Sequence, residues 1–118
     1  MPPFERLASE DFAYLTTTGR VSGQAHTIEI WFALDGGIMY MLSGGGDRAD
    51  WVKNIRKTRE VRVKVGSRTV AARGRLLVKE TDEDLKARQL LDGKYMGWRE
   101  GKKLSSWARG SRAVAIDL

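Results

Sequence analysis

Apolar and polar positions alternate through most of this chain, a period that marks strands rather than helices. Asp11–Thr18 (DFAYLTTT) is rich in aromatic and β-branched residues and predicts a strand that stops at Gly19. His26–Leu34 alternates, with Ile28, Ile30, Phe32 and Leu34 on one face and Thr27, Glu29 and Trp31 on the other. Asp35-Gly36-Gly37 reads as a hairpin turn, so Ile38–Ser43 returns as the next strand. Glu60–Val65 (EVRVKV) alternates strictly, Gly66-Ser67 turns it into Thr69–Lys79, and Ser111–Leu118 supplies a last strand. Gly74, inside the fifth of these, predicts a bend or bulge.

Two stretches break that period. Three glycines at 44–46 mark a loop, after which Asp47 is placed to cap a helix running to about Lys57. Its inward residues are Trp51, Val52 and Ile55, and Asp50 suits its positive end. Thr81-Asp-Glu-Asp84 opens a second helix, with Ala87, Leu90 and Leu91 on one side and an end near Gly93. Residues 4–10 read as a short lead-in helix. Six strands, mostly hairpin-linked, with one helix after the third and another before the last, close most simply into a small antiparallel barrel with helices outside.

Composition narrows the classes. A chain of 118 residues predicts a single domain over 1–118, and no apolar run approaches the roughly 20 residues that cross a membrane. The opening MPPFERLASED lacks the cationic start and apolar block of a signal peptide. Without cysteine there are no disulfides, thiolates or cysteine zinc sites, and the single histidine, His26, rules out multi-histidine metal centres. We expect a cytoplasmic protein with no metal and no stable membrane insertion. The net charge of +6 favours an anionic partner: nucleic acid, a phosphorylated cofactor or an acidic surface. Demanding chemistry in such a chain falls to a bound organic cofactor.

Three constellations carry chemistry, each with a plainer reading beside it. GRVSGQ (residues 19–24) is a tight turn, or an anion cradle in which glycines free N–H groups and Arg20, Ser22 and Gln24 add donors. SGGGDRADW (43–51) is a flexible connector capped by Asp47, or an anion site in which glycines let backbone approach a ligand and free N–H groups and the helix dipole meet it. The basic set Arg48, Lys53, Arg56, Lys57, Arg59, Arg62 and Lys64 is a solvated face, or a track for a nucleic-acid backbone. We favour the solvated face. Trp31, on the strand face opposite the aliphatic one, lines a cleft or an interface rather than the core.

Taken in order, TTTGRVSGQAHTIEIWF, a DG hairpin and LSGGGDRADWVKNIRKTREVRVKVG resemble the split β-barrel flavin/deazaflavin-dependent oxidoreductases, in their nitroreductase-like deazaflavin-dependent branch. The resemblance runs unbroken over about Tyr14–Gly66. It implies a mainly β (α+β) fold: a six-stranded antiparallel split β-barrel with two or three flanking helices, assembled as a homodimer. It implies coenzyme F-420, or in some relatives FMN or FAD, with hydride transfer to an electron-poor quinone, enone or nitroaromatic. By this resemblance Arg20, Val21, Ser22, Gly23, Gln24 and His26 hold the cofactor's anionic tail. Trp31, Ser43, Gly44, Trp51 and Asn54 flank its ring, and Tyr95, with Trp98, stands on the substrate side, where Tyr95 would donate a proton. Val21 occupies the usual lysine position, His26 the usual arginine, Glu29 the usual proline, Trp31 the usual tyrosine, and Gly44 a position where some relatives carry lysine. Arg48 is the nearest cation that would compensate. A flavin-type ligand binder without the deazaflavin reaction, and a nucleic-acid-binding barrel suggested by charge alone, are the rival readings.

Overall fold

In a computed structural model, which describes residues 6–118, the chain forms one seven-stranded antiparallel sheet and three helices. The strands are β1 (Ala13–Thr18), β2 (Ala25–Ile30), β3 (Ala33–Asp35), β4 (Ile38–Ser43), β5 (Glu60–Val65), β6 (Arg68–Leu76) and β7 (Arg112–Asp117). The helices are α1 (Asp50–Lys57), α2 (Asp82–Met96) and α3 (Ser106–Gly110). The lead-in helix expected over residues 4–10 begins outside the described residues; within them Glu10 N–H closes one turn on the Leu7 carbonyl.

Spatial order in the sheet is β2-β1-β5-β6-β7-β4-β3. Its two edge strands, β2 and β3, are consecutive in sequence and joined only by Trp31 and Phe32. Such a link spans at most about 10 Å, so the sheet must curl until its edges almost meet. The result is a barrel with one seam. This corrects the single strand expected over 26–34: it is two strands, one on each side of the seam. Alternation continues through the break, because Ile28, Ile30, Phe32 and Leu34 all pack on the interior.

The interior is filled by Leu15, Met39, Met41, Val61, Val63, Val65, Val114 and Ile116, with Val52 and Ile55 of α1 stopping one end. β4 and β7 are buried on both faces. Their other residues, Tyr40, Leu42, Ala113 and Ala115, pack against Ala87 and Leu91 of α2 and Ala108 of α3. Gly74 proves to be required by closeness rather than by a bulge, since a Cβ there would lie 3.0 Å from Cγ2 of Ile55.

Two helix boundaries differ from expectation. Asp47 does not cap α1: it sits in a single 3-10 turn over Gly46–Arg48, and α1 starts at Asp50 behind Ala49. Its carboxylate instead accepts two bonds from Nη1 of Arg112 (2.9 and 3.1 Å). α2 does begin at the predicted cap, with the Thr81 hydroxyl accepting Asp84 N–H, but it passes Gly93 and ends at Gly97, whose φ of 75° is left-handed.

Polar locks hold α2 to the barrel. Arg88 gives Nε and Nη2 to Asp84 (3.1 Å each) and Nη1 to the carbonyls of Ala108 (2.6 Å) and Ser111 (2.7 Å). At the other face Arg75 bonds both Glu83 oxygens at 2.8 Å and also Asp117, while the Tyr40 hydroxyl donates to Glu83. Hydrogen bonding from Arg75, reinforced by Tyr40, holds the Glu83 carboxyl down at about 2, against an ordinary 4.5. A carboxyl with a lower pKa folded than unfolded stabilises the fold above about pH 4.5 and loses that contribution as pH falls toward 2. Urea midpoints over that interval should fall less steeply in Glu83→Gln than in the native protein. Identical slopes would exclude this origin.

Candidate functional site

The β1–β2 connection, Gly19–Gln24, is a closed loop. Gly23 N–H bonds the Gly19 carbonyl (2.8 Å), Gly19 N–H bonds that of Gln24 (2.7 Å), and Gln24 N–H bonds Ser22 Oγ (3.1 Å). Gly23 has a φ of +75°, and a Cβ on Gly19 would lie 2.7 Å from Ser22 Oγ and 2.8 Å from His26 Nε2. Gly23 is therefore demanded by backbone geometry, while a side chain at Gly19 would displace Ser22 and His26. The turn leaves the N–H groups of Val21 and Ser22 with no acceptor among the described residues.

Helix α1 anchors this loop. Asn54, 3% exposed, accepts from the backbone N–H of Arg20 (3.1 Å) and from its Nη1 (3.0 Å), and donates to Thr17 Oγ1 (3.1 Å). Asp50 accepts from Arg20 Nη2 (3.1 Å), and Lys57 Nζ donates to the Arg20 carbonyl (2.9 Å). Residues 50, 54 and 57 recur at helical spacing, so one stripe of α1 grips the loop. A cleft of about 450 Å³ lies between the two, lined by Arg20, Val21, Ser22, His26, Trp51 and Asn54, with Thr17, Gly19, Thr27, Ile28 and Asp50 completing its wall.

Six of the residues singled out in the sequence thus meet in one cleft. Gly23 and Gln24 shape the loop without lining it. Val21 projects into solvent at 93% exposure. The Ser43 hydroxyl is turned onto the Gly46 carbonyl (2.9 Å), and Gly44, with Arg48, lines a separate depression. Trp98 donates its indole N–H to the Lys102 carbonyl (2.7 Å).

Trp31 lies in an aromatic group at the seam. Tyr95 stacks on it with centroids 4.3 Å apart, and Trp107 meets it edge-on at 5.4 Å. The Tyr95 hydroxyl accepts Phe32 N–H (3.0 Å) and has the Asp11 carbonyl at 2.7 Å, and burial raises its pKa. Lys94, its amine pKa lowered by burial, donates to the Phe32 carbonyl (3.0 Å) and stands 3.8 Å over the Phe32 ring. The end of α2 therefore pins the seam. Beside it Phe12, Glu29, Ile30, Trp31, Leu42 and Trp107 form an exposed shelf. The cleft reaches Thr27 and Ile28 and the shelf starts at Glu29 and Ile30, so the two follow each other along β2.

Sequence reasoning missed Asp50 as the partner of Arg20, although its spacing to Asn54 places both on one face of α1. Trp107 stood out in the sequence only as one of four tryptophans with core packing as the default, and nothing marked Arg112. Among the described residues no group of three or more His, Cys, Asp or Glu is arranged to hold a metal, and no helix is long and apolar enough to cross a membrane.

A seamed antiparallel barrel with flanking helices is the fold of the split-barrel flavin- and deazaflavin-binding proteins. The chain belongs to the F-420H(2)-dependent quinone reductase family, whose model matches residues 4–108. It is an oxidoreductase of the deazaflavin-dependent kind. Solved structures agree on the fold. A conserved hypothetical protein from Mycobacterium tuberculosis superposes with a TM-score of 0.78 at 18% identity, over 98% of this chain and 79% of that one. A reductase dependent on reduced F-420 gives 0.69 at 18% identity, over 90% and 93%. An FAD-binding protein from Mesorhizobium loti gives 0.68 at 17% identity, over 100% and 90%. No curated protein matches the chain.

Proposed function

We propose that the cleft between the Gly19–Gln24 loop and α1 holds the anionic tail of coenzyme F-420, with the ring extending along β2 toward Trp31. The observation that carries this reading is the convergence of Arg20, Ser22, His26, Trp51 and Asn54, from three elements, on a single cleft. The donors suit a phosphate or carboxylate: two unpaired N–H groups, the Ser22 hydroxyl, the His26 imidazole and a guanidinium whose fork Asn54 orients. When bound, the reduced deazaflavin supplies a hydride, which with one proton converts a quinone to its hydroquinone. The chain's own work is to bind, to orient and to exclude water. Tyr95 contributes by fixing Trp31 and the seam, its hydroxyl being held by main-chain groups.

The exposed edge strand β2 and the neighbouring Phe12, Tyr14 and Trp31, each about two-fifths exposed, suit coverage by a second copy of the chain, which supports a homodimer. A shorter-tailed flavin is the second reading. Val21 offers no cation, and Asp50 already neutralises Arg20, which fits FMN better than a long polyanion.

Asp50 and an anionic tail compete for Arg20. Asp50→Asn should therefore tighten F-420 binding about fivefold, with a steeper dependence on salt. Affinity that stays unchanged or weakens would separate Arg20 from the tail. The broader reading is tested by fluorescence titration with F-420, FMN and FAD. We expect F-420 to bind tightest; saturable binding of FMN alone would select the second reading, and no binding of any would end both.

A further inference from the structure

Between the Gly44–Gly46 loop and the Gly110–Arg112 turn lies a depression of about 360 Å³, walled also by Arg48 and Lys79. Its charges do not balance. Asp47 is the only carboxylate lining it, and that group already serves Nη1 of Arg112 (2.9 Å) and stands 3.8 Å from Arg56. Arg48 and Lys79 have no ion-pair partner among the described residues. Arg112 Nε is the one buried side-chain polar atom among the described residues without a hydrogen-bond partner. Two cations without an ion-pair partner, on the wall of a depression whose one carboxylate is already engaged, make a site for an anion.

This depression adjoins the aromatic shelf. A Cβ at Gly44 would stand 4.0 Å from Cδ1 of Trp107, and Leu42, two residues back on β4, lines the shelf with Trp31 and Trp107. That is ordinary contact distance, so Gly44 and the Trp107 ring lie side by side. The depression is distinct from the Arg20 cleft, with which it shares no lining residue.

We propose that this depression is an anion subsite for the electron acceptor: it holds the carboxylate, sulfonate or phosphate of an aromatic acceptor whose ring lies on the Trp31–Trp107 shelf. The inference rests on the reductase reading for the role of the ligand, but the binding step can be measured without turnover. The acceptors favoured would be anionic aromatic quinones over neutral quinones of the same ring.

The test compares a naphthoquinone sulfonate with unsubstituted naphthoquinone in the native protein and in Arg48→Gln/Lys79→Gln. Binding is read by quenching of tryptophan fluorescence, and turnover by consumption of reduced F-420. In the double variant we expect the sulfonate to bind about tenfold more weakly and its KM to rise by a similar factor. Both values for the neutral quinone, and the affinity for F-420, should stay unchanged. Equal sulfonate binding in the two proteins overturns the proposal. So does a loss of F-420 affinity in the variant, which would assign the depression to the cofactor's tail. If F-420 does not bind at all, the reductase reading fails, while the sulfonate titration still decides whether the subsite exists.

Discussion

Asn54→Ala should weaken F-420 binding more than tenfold and cost about 2–3 kcal/mol of folding stability. The residue is buried, and among the described residues its amide is the one α1 side chain that hydrogen-bonds both β1 and the Gly19–Gln24 loop. Removing it strands the Arg20 backbone N–H and the Thr17 hydroxyl, and it frees a guanidinium whose direction Asn54 sets through a 3.0 Å bond. The stability loss follows from buried polar groups left unsatisfied. The affinity loss follows from a loop no longer held in its binding shape. Asn54→Asp separates the two effects: its carboxylate still accepts from Arg20, and the Thr17 hydroxyl can donate to it, so the loop should stay in place. Urea unfolding and F-420 titration of both variants check this. Wild-type affinity in Asn54→Ala would mean that the cleft does not hold the cofactor.

Arg88→Met should be the most destabilising change in the helical layer, by about 3–5 kcal/mol. Arg88 and Asp84 are both nearly inaccessible, with side chains 9% and 6% exposed. Without Arg88 the Asp84 charge is buried with no cation beside it, and the carbonyls of Ala108 and Ser111 lose their donor. Lysine cannot replace the planar fork that reaches these groups on two elements, so Arg88→Lys should recover little. Because the pair acts as a unit, Asp84→Asn/Arg88→Met should cost less than the sum of its single changes. Chemical denaturation measures all of these. A loss below about 1 kcal/mol in Arg88→Met would show that the Arg88 bonds contribute little to holding α2 against α3 and β7.

Much of the barrel was legible because its strands are half-buried and alternate, as in Glu60–Val65, where every second residue is interior. The start of α2 was legible for a local reason, the Thr81 hydroxyl within reach of Asp84 N–H. The break at Trp31–Phe32 was not. Interior parity is kept across the seam, so periodicity passes over a point where pairing moves from β1 to β4. The end of α2 was misplaced because Gly93 is tolerated inside the helix, under the Trp98 carbonyl, while Gly97 supplies the left-handed stop. At the candidate site the glycines of GRVSGQ announced the loop. Asp50, which neutralises Arg20, lies 30 residues further along the chain, and only the packing of α1 brings the two together. Arg48, expected near the tail, is carried by the 3-10 turn to the other depression.

Under anaerobic conditions the purified protein should oxidise reduced F-420 when a naphthoquinone is added, followed by the return of the oxidised cofactor's absorbance. The rate should fall at least tenfold in Arg20→Ala at subsaturating cofactor, through KM rather than kcat. Oxidation no faster than in a protein-free control, in a preparation shown to bind F-420, would contradict the assignment of this barrel as a deazaflavin-dependent quinone reductase.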